Sequence, residues 1–216
     1  MTDSIYSCSG MVLLGLILEK LYQKSLEELF EERIKTPLGY TRSRFNISAK
    51  ENNSANCFRY ESIGDLPSPW DDENSRVLKT SSGAGGQFFT LSDLKKFAAA
   101  VLNKDKRLYS KQMFALSEEE HSPKCAKNSR GLGWLYVDEK YSQTGELFPK
   151  GSFGHCGHSG QSIFFNREKK LCVIILTNAT RFLNKRSGFK GYDYNIVCNM
   201  RREIHNEILK DLSQTV

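Results

Sequence analysis

One stretch of the sequence decides the fold: GSFGHCGHSG at 151–160, followed directly by QSIFFNREKKLCVIILTN at 161–178. Residues 162–165 and 171–176 are rich in β-branched and aromatic side chains, which favour strands. The polar run 166–170 between them is typical of a hairpin turn. The sequence therefore predicts two paired strands that are entered through a glycine-rich segment.

The glycine-rich segment is a candidate binding edge. Gly154, Gly157 and Gly160 allow a backbone to come close to another group, and His155 stands among them. An imidazole can exchange a proton near neutral pH, whereas many strand histidines only satisfy neighbouring backbone groups. Both interpretations of His155 are open at this point.

Length and composition set the outer limits of the interpretation. The chain has 216 residues, of which 39% are hydrophobic and 26% are charged, and we expect a single domain over 1–216. The net charge is +6, but basic and acidic residues are interleaved, so we predict no nucleic-acid partner. The apolar run 11–18 is too short to span a bilayer. Six cysteines without repeated spacing favour free thiols, and we expect a cytoplasmic location for the chain as written.

Three further segments have helical patterns. Capping boxes at 25–28 and 90–93 each predict a helix start, and the first of these helices is expected to stop at Pro37. A last helix is predicted over 193–212. Its expected inward face comprises Val197, Met200, Ile204, Ile208 and Leu212.

Several short segments of the chain resemble motifs of the serine β-lactamase and penicillin-binding protein superfamily, in its class C β-lactamase-related esterase and peptidase branch, and they occur in the same order as in that family. The matching segments are Tyr6-Ser7-Cys8, similar to Tyr-x-Asn; the Leu-Leu-Gly of 13–15 and Pro37-Leu38-Gly39; the glycine-rich turn and helix at 82–97; Gly131-Leu-Gly-Trp134; and His155 to Gly160, similar to the third motif. The resemblance implies an α/β (α+β) fold, with an antiparallel sheet flanked by helices.

The same resemblance implies a serine nucleophile in a Ser-x-x-Lys motif well before the tyrosine. No such motif precedes Tyr6, so we expect the family's N-terminal strands and its nucleophile helix to be missing here. Ser-x-x-Lys strings occur at 92–95 and 187–190, but both follow the tyrosine and neither is assigned as the nucleophile. An incomplete sheet also predicts exposed apolar helix faces and self-association.

The resemblance assigns site residues position by position. Tyr6 and His155 are the candidate catalytic residues: Tyr6 for proton transfer, His155 for the hydrogen-bond network. The N–H of His158 is a candidate oxyanion donor. The candidate substrate-binding residues are Cys8, Asp72, Asn74, Gly157, His158 and Ser159. The alternative for Tyr6 is a buried tyrosine at a helix start, and the alternative for Asp72 and Asn74 is a solvated acidic loop at 71–74.

The implied function is a serine hydrolase that acts on an ester, an amide or a D-amino peptide through an acyl-enzyme, without a cofactor or a metal. The partner is then a small-molecule or peptide substrate, and the isolated chain is expected to be inactive because it lacks the nucleophile. Two alternatives stay open: a non-catalytic remnant or regulatory module with the same cleft, and a zinc-binding domain. The potential zinc ligands are His121, Cys125, His155, Cys156 and His158.

Overall fold

The computed structural model describes residues 5–45, 73–122, 128–137, 143–177 and 194–214. They fall into two compact units, divided between Ala100 and Val101. The helices are α1 (Cys8–Tyr22), α2 (Leu26–Phe30), α3 (Thr36–Leu38), α4 (Glu73–Leu78), α5 (Leu91–Leu102), α6 (Lys111–Ser117) and α7 (Tyr194–Gln214). The strands are β1 (Arg44–Phe45), β2 (Gln87–Phe88), β3 (Leu135–Tyr136), β4 (Phe153–Cys156), β5 (Ser162–Asn166) and β6 (Leu171–Ile175). The single domain expected over 1–216 stays a prediction.

The second unit is built on a four-stranded antiparallel sheet in the order β3-β4-β5-β6. The predicted hairpin is its centre, because β5 pairs with β6 from Ser162 opposite Ile175 to Asn166 opposite Leu171. The connecting turn is closed by the Lys169 N–H, which donates to Asn166 Oδ1 at 2.8 Å. Helices and an antiparallel sheet therefore form the α+β architecture that the sequence predicted.

The core of this unit lies between the sheet and α7. Its buried centre comprises Val137, Phe148, Phe164, Val173 and Ile175, and Ile208 and Leu209 of α7 pack against it. Burial of these large side chains is the main stabilising contribution that the unit can make.

The inward face of α7 differs from the predicted one. Val197 is buried as expected, but the next buried positions are Arg201 and His205, while Ile204 and Leu212 are exposed. Spacing by four along a helix continues one face, and here that face includes two polar side chains. His205 donates from Nδ1 to the Arg201 carbonyl at 2.7 Å, and its ring lies edge-on to Phe148 and Phe164.

The first unit confirms one capping box and corrects a helix end. Ser25 Oγ accepts the Glu28 N–H, and the Glu28 carboxylate accepts the Ser25 N–H at 2.7 Å. The helix does not stop at Pro37, because a π-helical turn over Glu31–Lys35 leads into α3 and the chain leaves the helix only at Gly39, with φ +68°. Proline has no N–H to donate in the helical ladder, and its ring clashes with the preceding turn. The π-turn widens the helix just before the Pro37 ring and so accommodates it.

The second capping box is only half present. Thr90 Oγ1 accepts the Asp93 N–H at 3.2 Å, but the Asp93 carboxylate turns away from the cap. It accepts N–H bonds from Thr41, Arg42 and Ser43 at 3.1, 3.0 and 2.8 Å. The buried carboxylate thus ties the start of α5 to the segment before β1.

Candidate functional site

The predicted glycine-rich edge is the end of β4 and the turn that leads into β5. His155 pairs with Ile163 and Cys156 with Ser162, so β4 remains in register to its last residue. The turn is closed by the Gly157 N–H, which donates to the Gln161 carbonyl at 2.7 Å, and by the Gly160 N–H, which donates to the Gly157 carbonyl at 3.1 Å. His158, at the tip of this turn, is exposed.

Side chains brace the turn from two directions. Ser159 Oγ donates to Gln161 Oε1 at 2.7 Å, and Thr177 Oγ1 donates to the Ser159 carbonyl at 2.8 Å. A Cβ on Gly157 would lie 2.7 Å from Gln161 Oε1, and a Cβ on Gly160 would overlap Thr177 Oγ1. Gly160 also has φ +101°, which side chains other than hydrogen rarely tolerate. We call residues 157–161 the braced turn.

His155 is half-buried beside this turn. Its Nδ1 lies 3.0 Å from the Cys156 carbonyl, and since a carbonyl only accepts, Nδ1 carries the proton and Nε2 holds the lone pair. Burial lowers the pKa of His155, and the positive charges of Arg130 and Arg201 lower it further, against the opposing effect of the carbonyl bond. A neutral imidazole can accept a proton at Nε2 during a reaction near pH 7.

Cys156 has a different environment from its neighbour. Successive strand residues point to opposite faces, and Cys156 packs against the core cluster of the second unit. Burial raises the pKa of the Cys156 thiol to about 12, which makes the thiol a poor nucleophile and a poor metal ligand.

The zinc hypothesis gains no candidate cluster. Within the described ranges, no three His, Cys, Asp or Glu side chains converge closely enough to hold a metal ion. Cys125 lies outside those ranges.

Tyr6 and Cys8 lie in the other unit, at the start of α1. Ser7 is the N-cap and its Oγ accepts the Gly10 N–H at 3.1 Å, so Tyr6 immediately precedes the helix and Cys8 is its first residue. Tyr6 is 59% exposed, which rules out the alternative of a buried tyrosine at a helix start. Asn74 lies on α4, and Asp72 lies outside the described residues.

The structure thus brings four of the predicted residues together: His155, Gly157, His158 and Ser159. The first Ser-x-x-Lys string has the placement expected of a surface helix turn, since Ser92 and Lys95 on α5 are both exposed. The second, at 187–190, lies outside the described residues.

Sequence reasoning missed Gln161, Thr177 and Arg201. Gln161 lies in the turn itself, two residues from Ser159, whereas Thr177 contacts the turn from 18 residues later, for which the sequence carries no local signal. Arg201 is fully buried; it donates from Nη2 to Gln143 Oε1 and lies 3.5 Å from Cys198 Sγ. Its signal was the spacing of four from Val197, which places a charge on the buried face of the last helix.

Comparisons with known proteins agree with this architecture. A family model described as Beta-lactamase matches residues 2–188. A protein of Escherichia coli O157:H7 named "Putative D-alanyl-D-alanine carboxypeptidase" is 26% identical over 201 residues, which cover 81% of this chain and 44% of that protein. The chain therefore spans less than half the length of this curated relative.

Solved structures of similar fold are also found. A β-lactamase from Mycobacterium bovis is 20% identical with a TM-score of 0.67, covering 97% of this chain and 65% of the other. An octameric penicillin-binding protein homologue from Pyrococcus abyssi is 26% identical with a TM-score of 0.60, covering 81% of this chain and 38% of the other. Among the described residues, no helix is both long and apolar enough to cross a membrane.

Proposed function

Since this chain belongs to the beta-lactamase family, whose model matches residues 2–188, we propose that it carries the proton-transfer and oxyanion-binding part of a serine hydrolase. The proposed substrate is an ester, an amide or a D-amino peptide, cleaved through an acyl-enzyme. The curated relative named as a D-alanyl-D-alanine carboxypeptidase supports the peptide among these substrates. Four cysteines of the described residues, Cys8, Cys156, Cys172 and Cys198, are free thiols, which supports a reducing compartment such as the cytoplasm.

The braced turn is the observation that carries the proposal. Oxyanion stabilisation requires donors that are fixed before the reaction begins, because a donor that must reorganise loses most of its benefit. Before His158 the Gly157 N–H donates to the Gln161 carbonyl at 2.7 Å, and after it the Ser159 carbonyl accepts a bond from Thr177 Oγ1 at 2.8 Å. We assign the His158 N–H as one oxyanion donor and neutral His155 as the group that completes the hydrogen-bond network.

The proposed reaction has two steps. A serine hydroxyl attacks the substrate carbonyl while the Tyr6 side chain, as its phenolate, takes the hydroxyl proton, and the phenol so formed returns that proton to the leaving alcohol or amine. Water then attacks the acyl-enzyme, gives up a proton by the same route, and releases the acid and the free serine. The negative oxygen formed in each step is stabilised by the N–H of His158.

The serine hydroxyl is proposed to come from a Ser-x-x-Lys segment outside these 216 residues. The first test is intact-mass spectrometry of the folded chain after exposure to a fluorophosphonate and, separately, to a penicillin. We expect no adduct. A stoichiometric adduct on one serine of this chain, Ser92 above all, would show that the nucleophile is internal.

The second test restores the hydroxyl. A segment with the Ser-x-x-Lys motif is supplied by fusion or by co-expression, and hydrolysis of activated esters and β-lactams is measured. We expect turnover, with Tyr6→Phe and His155→Gln each lowering kcat by about a hundredfold or more. A matched control replaces the serine of the added segment by alanine. Ligand binding without turnover would instead support a non-catalytic module.

A further inference from the structure

A charged side chain is buried beneath the β4 edge. Arg201 is 0% exposed, and its guanidinium stays protonated in the folded chain. Nη2 donates to Gln143 Oε1 and lies 3.5 Å from Cys198 Sγ. Among the described residues, Nε and Nη1 of Arg201 have no acceptor, and no carboxylate pairs with the charge. The charge is therefore both removed from water and uncompensated.

A charge in this position does not stabilise the fold. Removing an ion from water is strongly unfavourable, and only a close counter-charge or a full set of hydrogen bonds offsets that loss. An apolar side chain of similar length would be more favourable in the same place. The bond to Gln143 does not require a charge either, because a neutral amide can donate it. The charge of Arg201 therefore needs an explanation other than stability.

The start of α7 places Arg201 under the candidate site. Val197 precedes Arg201 by one helical turn, and a Cβ built on Gly160 would lie 2.8 Å from Val197 Cγ1. The first turn of α7 thus packs directly against the braced turn. The charge of Arg201 acts on His155 and Cys156, the last two residues of β4.

We propose that Arg201 is a positioning residue of the candidate site, whose charge acts on the reaction through His155; this role rests on the hydrolase function proposed above. In a protein interior, the field of a charge reaches neighbouring groups with much less loss than in water. A positive field disfavours a second positive charge on the imidazole, so Nε2 of His155 keeps its lone pair for the reaction. The same field favours the negative oxygen that forms at the His158 N–H.

A second cation acts on His155 from another element. Burial is the largest cause that lowers the pKa of His155, and the bond to the Cys156 carbonyl opposes it. The charges of Arg130 and Arg201 both lower the pKa further. Arg130 lies before β3 and is partly exposed, so salt screens its charge, whereas Arg201 is fully buried. The contribution of Arg201 should therefore persist at high salt.

The test measures the protonation of His155 in the purified chain by NMR of the imidazole nitrogens. The pH titration is run at low salt and again at about 1 M salt, and His155→Gln identifies the signal. Arg201→Met and Arg201→Gln are the neutral variants, and the glutamine keeps an N–H donor for Gln143. Arg201→Lys keeps the charge. The matched control is Arg202→Met, which removes a positive charge from the next residue, where the guanidinium pairs with Glu146 at the surface.

We expect His155 to bind its proton at a higher pH in both neutral variants than in the parent chain, at both salt concentrations. Arg201→Lys and Arg202→Met should titrate like the parent. An unchanged titration in both neutral variants would overturn the proposal, as would an equal change in Arg201→Lys or in Arg202→Met. Circular dichroism checks folding, and failure of both neutral variants to fold would also overturn it, because Arg201 would then be a structural residue.

The reaction provides a second readout, in the chain supplied with the Ser-x-x-Lys segment. Both neutral variants should lower kcat by about tenfold, which is less than the loss of a direct oxyanion donor, and change KM by less than about twofold. The limb of the pH–rate profile that reports His155 should move to higher pH. An unchanged kcat would overturn the proposed role. If the parent itself shows no turnover, the hydrolase function fails, while the NMR titration still decides whether the charge of Arg201 acts on His155.

Discussion

Replacing Gly160 by alanine tests whether the braced turn is as tightly built as its contacts indicate. Two costs add at this position. The first is the backbone, since φ is +101° and a side chain there costs about 1–3 kcal/mol. The second is steric, since the new Cβ would overlap Thr177 Oγ1 and lie 2.8 Å from Val197 Cγ1. Overpacking of this kind costs about 1–3 kcal/mol.

Gly151→Ala is the matched control, because it incurs the backbone cost alone. Gly151 has φ +76°, and no heavy atom lies within 4 Å of a Cβ built there. Part of its cost is offset by the smaller entropy of the unfolded alanine chain, which leaves about 1 kcal/mol. We therefore expect Gly160→Ala to lower the free energy of unfolding by about 3–5 kcal/mol and Gly151→Ala by about 1 kcal/mol.

The assay is urea unfolding of the three proteins, followed by far-UV circular dichroism at one fixed protein concentration. A double-mutant cycle with Thr177→Ala then identifies the obstacle. Removing Oγ1 should make Gly160→Ala less costly by about 1 kcal/mol, with a remainder from Val197. The reasoning is refuted if Gly160→Ala and Gly151→Ala lower the free energy of unfolding equally, because the close approach at Gly160 would then have no energetic consequence.

Three further predictions concern individual side chains. Asp93→Ala removes the acceptor of three N–H groups at 41–43 and should cost about 3 kcal/mol of stability in urea unfolding, against a smaller loss for Asp93→Asn. Burial lowers the pKa of His205, so the unfolded chain binds a proton on this side chain more readily than the folded chain. The free energy of unfolding should therefore fall as the pH drops below about 6.5. In urea titrations at pH 7 and pH 5, His205→Gln should show a smaller difference than the parent chain. Iodoacetamide should alkylate exposed Cys8 well before Cys156, because burial raises the pKa of the Cys156 thiol to about 12. Peptide mass spectrometry measures the two rates, and equal rates would contradict the prediction.

The strongest sequence signals were local, and they were confirmed. The hairpin was predicted because strand-forming residues flank a polar turn, and β5 and β6 occupy 162–166 and 171–175. The capping box at Ser25 is likewise a pattern within four residues, and both of its hydrogen bonds are present. Such elements are encoded where they form, since the interacting groups are neighbours in the chain.

Two errors arose where the observed structure departs from a local rule, through a backbone irregularity in one case and distant contacts in the other. Pro37 was expected to end its helix, but a π-turn before it lets the helix continue to Leu38. Asp93 fits a capping box by its spacing, yet its carboxylate bonds to residues about 50 positions earlier in the chain. A buried carboxylate goes to the donors that satisfy it best, and sequence spacing does not show where those donors lie.

The sequence by itself determined the hairpin and the residues of the β4 edge, because glycine, histidine and strand patterns are properties of short segments, while the class of the fold followed from the resemblance of its ordered landmarks to a known family. Only the tertiary structure decided that Thr177 braces the turn, that Arg201 and His205 lie on the buried face of α7, and that α1 is left uncovered. Those features depend on which distant segments meet. Packing and hydrogen bonding between distant segments are settled by the whole fold, and no local pattern specifies them.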